Sequence, residues 1–360
     1  MIAPADALGL TAALNRYLGH LGTRGYRPMG MATAQRYIRD FIDWCQERGV
    51  VHPSQVSRQV VERYQRWLYH YRKKDGTPLS IAGQRCTLVP LRGSFRWLTR
   101  QGEIPANPAA DMELPRKLKR LPRVVLTELE AERVMAAVDS TSCIGLRDRA
   151  MLELLYATGM RRTEIASLQV GDVEPERGVV LIREGKGGKD RLLPLGERAL
   201  YWLTQYLEQA RPQIAWNADD KTLFLGREGK PLNPVWLSTV IAKRVDAAKL
   251  GKRGGCHLWR HTMATLMLEG GADIRFIQAM LGHAEISTTQ IYTQVAIRQL
   301  QAVHALTHPG AKRHQRGHVT DAQNGADISA PQLDNKNAAD ALLAALDAEA
   351  EEEAQADREL

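Results

Sequence analysis

Apolar side chains recur every three to four positions through most of the first hundred residues. Tyr37, Phe41 and Trp44 mark one such face, and Val61, Tyr64, Trp67, Leu68 and Tyr71 mark another. That spacing predicts amphipathic helices whose buried stripes meet in a core. A further helix is predicted over Ser80–Arg100. Gly25 with Pro28, His52-Pro53 and Asp75-Gly76-Thr77-Pro78 interrupt the pattern with residues that end helices or set turns. The polar faces of these helices carry Arg36, Arg39, Arg63, Arg66 and Arg72, then Arg85, Arg92 and Arg96.

From Gly102 to Arg123 the period is lost. Pro105, Pro108, Pro115 and Pro122 and the cluster Arg116, Lys117, Lys119 and Arg120 read as a basic, extended linker. Helical spacing returns at 127–138 and 144–157, then yields to alternation. Val179–Ile182 is a short strand, Gly185–Lys189 is turn chemistry and Arg191–Leu195 is the returning strand. Helices are predicted again at 196–209, 234–248, 257–269, 273–280 and 287–305. Beyond Pro309 the chain is rich in Ala, Asp, Glu, Asn and Gln and reads as mostly disordered. Within it, Ala338–Ala354 has good helix formers and a stripe of Leu342, Leu343 and Leu346, compatible with an isolated helix or one that docks on a partner. The fold class is mainly α with a small antiparallel β-sheet, organised as 6–101, 102–123, 124–308 and 309–360.

The length of 360 residues suggests two or three domains. A 44% hydrophobic and 25% charged composition suits a chain that buries a core. Mean hydropathy is −0.34, and no apolar run approaches the roughly 20 residues of a membrane span. The N-terminus shows no secretory pattern. Cys45, Cys86, Cys143 and Cys256 lie far apart, which argues against a disulfide scaffold or a cysteine zinc site and for a reducing cytoplasm. Residues 1–120 carry 20 Lys+Arg against 9 Asp+Glu, residues 121–310 carry 24 against 21, and residues 311–360 carry 5 against 11. A positive N-terminal third fits a phosphate-rich partner, although a basic surface that only aids solubility would look the same.

Four separated segments hold candidate chemistry. Arg161 follows Gly159-Met160 and precedes Glu164 by three residues. Lys186 sits in the glycine-rich turn. His257 and Arg260, at i and i+3, share a helix face opposite Trp259, Met263, Leu266 and Met267. His283 follows Leu281-Gly282, and Tyr292 comes nine residues later. Each has an ordinary reading alone: a surface pair, a solvated lysine, a helix cap, a core tyrosine. His257 and His261 have zinc-like i, i+4 spacing, but Leu258 stands where the HExxH pattern needs Glu, which disfavours a metal.

Taken together, LLYATGMRRTEIASL, EGKGGKDRLLPL, HLWRHTMATLMLEGGAD and IQAMLGHAEISTTQIYTQV resemble the tyrosine recombinase (phage integrase) family, in particular its bacterial Xer-like branch. The resemblance covers about 123–306 and extends less specifically to the helical N-terminal region, which looks like the family's core-binding domain. It implies that Arg161 is the first motif arginine, Lys186 the β-turn lysine, His257 and Arg260 the HxxR pair, His283 the LGH histidine and Tyr292 the nucleophile. Glu164 matches the acidic residue that supports the first arginine. Arg162 beside Arg161, and Trp259 where Leu or Phe is commoner, depart from the usual pattern. Nothing carries over to the tail.

The residue types suit phosphoryl transfer. A phenol can form a covalent ester with a scissile phosphate. Two guanidinium groups clamp non-bridging oxygens with fixed donors. A lysine in a turn can protonate the leaving 5′-oxygen, and a histidine can handle the tyrosine proton. The family implies double-stranded DNA with specific sites as partner and four protomers exchanging strands through a Holliday junction. It implies no metal, cofactor or ATP. Ile297, Leu300, Val303 and Leu306, at i, i+3, i+6 and i+9, suit docking on a neighbouring protomer or packing on their own domain. Rival readings are a DNA-binding regulator without cleavage, a type IB topoisomerase, and a metalloenzyme using His257 and His261. The acidic tail leans the reading towards a mobile-element enzyme.

Overall fold

A computed structural model of the chain describes residues 8–26, 28–116, 124–183, 185, 190–217, 220–282, 294–312 and 335–357. The chain divides into two compact units, Met1–Arg120 with Glu351–Leu360, and Leu121–Ala350.

The first unit contains helices α1 (Leu10–Thr23), α2 (Pro28–Gln46), α3 (Arg58–His70) and α4 (Ile81–Arg100). Their apolar stripes close on an aromatic centre. Phe41 meets Tyr64 edge-on at 4.9 Å and Phe95 at 5.9 Å, and Tyr64 also meets Trp44 at 5.2 Å. Arg39, Arg63, Arg66, Arg72 and Arg96 are exposed, as the sequence pattern predicts for the polar faces. The stretch after Gly102 differs from the extended linker expected of it. Ile104, Ala109 and Met112 are buried in the same core, Gln65 Nε2 donates to the Glu113 carbonyl at 2.6 Å, and Arg85 Nη1 donates to the Pro115 carbonyl at 2.8 Å. Unevenly spaced apolar residues and side-chain bonds to the backbone hold it without any period to read. Lys117, Lys119, Arg120 and Pro122 lie outside the described residues.

The second unit opens with α5 (Glu128–Ala136), α6 (Cys143–Thr158) and α7 (Arg162–Ser167). Ser142 caps α6 by accepting the Gly145 N–H at 3.1 Å, and the helix is buried nearly all round, as expected of a central helix. Three strands follow, β1 (Val173–Glu174), β2 (Val179–Ile182) and β3 (Arg191–Pro194), in the order β1-β2-β3 and antiparallel throughout. The predicted hairpin is present with Val180 opposite Leu193 and Ile182 opposite Arg191. Two-residue β1 was too short to give a pattern. The chain continues through α8 (Glu197–Gln205), a wide turn at Tyr206–Ala210, α9 (Arg211–Ile214), α10 (Pro234–Ala247), α11 (Cys256–Glu269), α12 (Ile274–Leu281), α13 (Gln294–Thr307) and α14 (Asn335–Asp357). The fold is mainly helical with one small antiparallel sheet.

The last two helices bear on two open points. On α13, Ile297 and Leu300 are buried in the unit's own core and Val303 packs against it, whereas Leu306 is 76% exposed. His304 Nε2 lies 3.0 Å from the Ala157 carbonyl, which ties α13 to the end of α6. On α14, Leu342, Leu346 and Ala350 are buried, and the two leucines belong to the same core as α6 and α11. The tail helix is therefore seated on its own chain. No helix among the described residues is long and apolar enough to cross a membrane.

Candidate active site

Gly159 ends α6 with a left-handed φ of 58°, and a Cβ there would come within 2.3 Å of Met263 Cε. The left-handed backbone would strain a residue with a side chain, and the Met263 methyl would have to shift, so glycine suits the position best. The reversal delivers Arg161 to the N-cap of α7. Glu164, three residues on, accepts the Arg161 backbone N–H on Oε2 at 2.8 Å and the Arg161 side chain on Oε1 at 3.1 Å. The pair is buried, not the exposed helix pair that the isolated signal suggests.

Glu164 has a second partner that sequence reasoning missed. Arg191, the first residue of β3, donates Nη1 to Oε1 and Nη2 to Oε2, each at 2.8 Å, and its Nε donates to the Met280 carbonyl at 3.0 Å. Burial alone would raise the Glu164 carboxyl, but the hydrogen bonds and charge of Arg191, then the charge of Arg161, hold it down to about 2. Arg191→Met would leave Glu164 buried with half its partners removed. The expected result is a loss of about 3–5 kcal/mol, read from the urea midpoint, with partial recovery in Arg191→Lys. An unchanged midpoint would show that the pair does not hold the site.

Arg260 approaches from α11. It is fully buried, as are Trp259, Met263 and Met267, so α11 runs through the core and carries its charge inward. Nη1 donates to the Gly159 carbonyl at 2.7 Å and Nη2 to the Leu281 carbonyl at 2.9 Å. These carbonyls lie at the C-terminal ends of α6 and α12, where the helix dipole favours a cation. Burial, then the neighbouring Arg161 cation, pushes Arg260 down to about 9, against the opposing pull of Glu349 and Glu164. It remains protonated at neutral pH.

The two arginines converge on one carboxylate. Glu349, from α14, places Oε1 2.8 Å from Arg161 Nη2 and Oε2 3.1 Å from Arg260 Nη2. Asp347 Oδ1, on the same helix, lies 3.6 Å from His261 Nε2. An arrangement that presents one nitrogen of each guanidinium to two oxygens of one anion can equally hold a phosphodiester. Nothing in the local sequence around Glu349 announces this contact, because the helix reaches the site from far along the chain.

Of the residues singled out from the sequence, Arg161, Glu164 and Arg260 are brought together. His257 is the second residue of α11, one turn before Arg260, and is half-buried. Lys186, His283 and Tyr292 lie outside the described residues. Gly185 and Gly282, which flank two of them, are described, and Gly282 ends α12 with a left-handed φ of 68°. No cluster of three or more metal-ligating side chains is found among the described residues.

Comparison with known proteins gives a consistent picture. The phage integrase family model matches residues 124–298. Tyrosine recombinase XerC 2 of Ralstonia nicotianae is 44% identical over 325 residues, which cover 90% of this chain and 93% of that protein. Tyrosine recombinase XerD of Pseudomonas putida is 37% identical over 270 residues, covering 75% of this chain and 87% of its own. Among solved structures, a lambda integrase dimer bound to a COC′ core site matches with a TM-score of 0.58 at 20% identity, covering 79% of this chain and 98% of that one. XerH site-specific recombinase bound to difH substrate gives 0.57 at 21% identity, covering 78% and 81%. At those identities the structural likeness is one of fold.

Proposed function

Since the chain belongs to the phage integrase family of tyrosine recombinases, and is itself a site-specific recombinase that cuts and rejoins duplex DNA, we propose that the pocket around Arg161 and Arg260 is its strand-transfer site. The observation that carries this reading is the convergence of the two guanidinium groups on a single anion. The scissile phosphate takes that seat, with one non-bridging oxygen on each arginine. Their preorganised charge stabilises the extra negative charge of the pentacoordinate phosphorane.

The Tyr292 oxygen attacks phosphorus and forms the 3′-phosphotyrosyl ester while the bond to the 5′-oxygen breaks. Lys186 gives that oxygen its proton, His257 receives the phenolic proton, and His283 donates a hydrogen bond to a non-bridging oxygen. Glu164, with Arg191 behind it, fixes the Arg161 fork. The ester keeps the energy of the broken link, so the reverse attack by a 5′-hydroxyl reseals a strand without ATP. The first unit, through about residue 116, forms the core-binding domain, the next few residues join it to the catalytic domain at 124–308, and 309–360 are an added tail. The exposed arginines of α2, α3 and α4 contact backbone phosphates. The protein works in the cytoplasm as a homotetramer on two DNA sites, passing through a Holliday junction.

Genome-wide mapping of SDS-trapped covalent complexes tests the reading. The expected result is protein attached to 3′-phosphates at one or a few discrete sites. A single chromosomal site would indicate chromosome resolution, and the ends of an inserted element would indicate integration and excision. Adducts scattered without sequence preference would replace recombination with topoisomerase-like relaxation. No adducts from the full chain or from the Glu349→Gln variant would leave a DNA-binding regulator.

A further inference from the structure

Resting on the reading that Arg161 and Arg260 clamp a phosphate, we propose that α14 is a built-in inhibitor. Its Glu349 carboxylate fills the phosphate seat, and strand cleavage requires the helix to leave.

The contact has the form of a substrate mimic. Each carboxylate oxygen of Glu349 meets a different arginine, at 2.8 and 3.1 Å, as two non-bridging oxygens of a phosphodiester would. A carboxylate and a phosphate cannot occupy one seat together. Without an anion there, Arg161, Arg191 and Arg260 would gather around Glu164 with an excess of buried positive charge, which Glu349 reduces in the absence of DNA.

The helix is built to reach and hold this position. Leu342, Leu346 and Ala350 recur at i, i+4 and i+8 and are all buried, with Leu343 packed beside them. That stripe sets the rotation of the helix, and Glu349 stands immediately before the last of these anchors. Asp347, at 3.6 Å from His261, brings a second acid against the helix that carries Arg260. Residues 313–334 join α14 to the rest of the catalytic unit, so a displaced helix stays tethered and returns when the seat empties. The tail's charge, 5 Lys+Arg against 11 Asp+Glu over residues 311–360, sets it in competition with DNA for the same cations.

The test uses the full chain and a nicked suicide duplex carrying the mapped site. Glu349→Gln removes the competing charge and is expected to raise the initial rate of covalent adduct formation about tenfold or more, the size of a lost charge-assisted hydrogen bond. Leu346→Ala, which loosens the helix without touching the carboxylate, is expected to raise it too. Asp340→Asn makes the same charge change at an exposed position on α14 and is expected to leave the rate unchanged. In the wild-type protein, hydrogen exchange of the amides of 335–357 is expected to speed up when the duplex is added. An unchanged or lower rate in Glu349→Gln, or equal protection of 335–357 with and without duplex, overturns the proposal. Failure of the clamp reading looks different: Arg260→Lys would then cleave at the wild-type rate. A dead Arg260→Lys beside an unaccelerated Glu349→Gln keeps the clamp and removes the inhibitor.

Discussion

Tyr292→Phe is expected to abolish the covalent protein–DNA adduct while leaving duplex affinity nearly intact. The substitution removes one oxygen atom, and that oxygen is the proposed nucleophile. Without it no ester can form at phosphorus, and the loss should approach the roughly 10⁶-fold seen when an enzyme's nucleophile is deleted. Binding depends instead on many cationic contacts to the DNA backbone, which the phenol hydroxyl does not supply. The measurement pairs an SDS-resistant gel shift on a suicide duplex with a native binding assay at fixed salt. An undiminished adduct would reject Tyr292 as nucleophile. Loss of both adduct and binding would mean that the residue serves structure.

Arg260→Lys should lower single-turnover cleavage by about 10²–10³-fold, the usual consequence of removing one preorganised donor from a transition state. Lysine keeps the positive charge but not the fork. Arg260 uses Nη1 on the Gly159 carbonyl and Nη2 on the Leu281 carbonyl, and it still directs Nη2 towards the anion. An ammonium group on a flexible stem cannot span two carbonyls and reach a third oxygen in fixed geometry. Some stability should be lost as well, about 1–3 kcal/mol for the stranded carbonyl. Circular dichroism at the assay temperature separates that loss from the catalytic one. Arg161→Lys should behave similarly, through the bond to Glu164. A rate near wild type in either variant would remove the charge clamp from the mechanism.

The helices and the hairpin were legible because their residues carry a period. Tyr37, Phe41 and Trp44 lie on α2, and Val179–Ile182 and Arg191–Pro194 pair as β2 and β3. Where burial depends on residues without a period, the reading failed. Ile104, Ala109 and Met112 look like spacer positions, and only the folded core shows that they are inside. The site was half legible. Arg161, Glu164 and Arg260 stood out through resemblance, but their convergence is a property of α7 and α11 meeting. Arg191 was overlooked although it stands in the quoted motif, because an arginine opening a short strand reads as a solvated edge residue. Glu349 had no local signal at all. It sits in a run of acids that composition assigns to solvent, and its meaning comes from the stripe of Leu342 and Leu346 that turns it inward.

Arg260 bridges the last carbonyls of two different helices, one at Gly159 and one at Leu281. The chain leaving the second of these leads to Tyr292. A tug on that segment that unwound the final turn of α12 would take a hydrogen bond from the guanidinium in the same stroke. The cation's orientation thus hangs on two helix ends at once, so fraying at either end would slacken its hold on an anion even with the side chain itself intact.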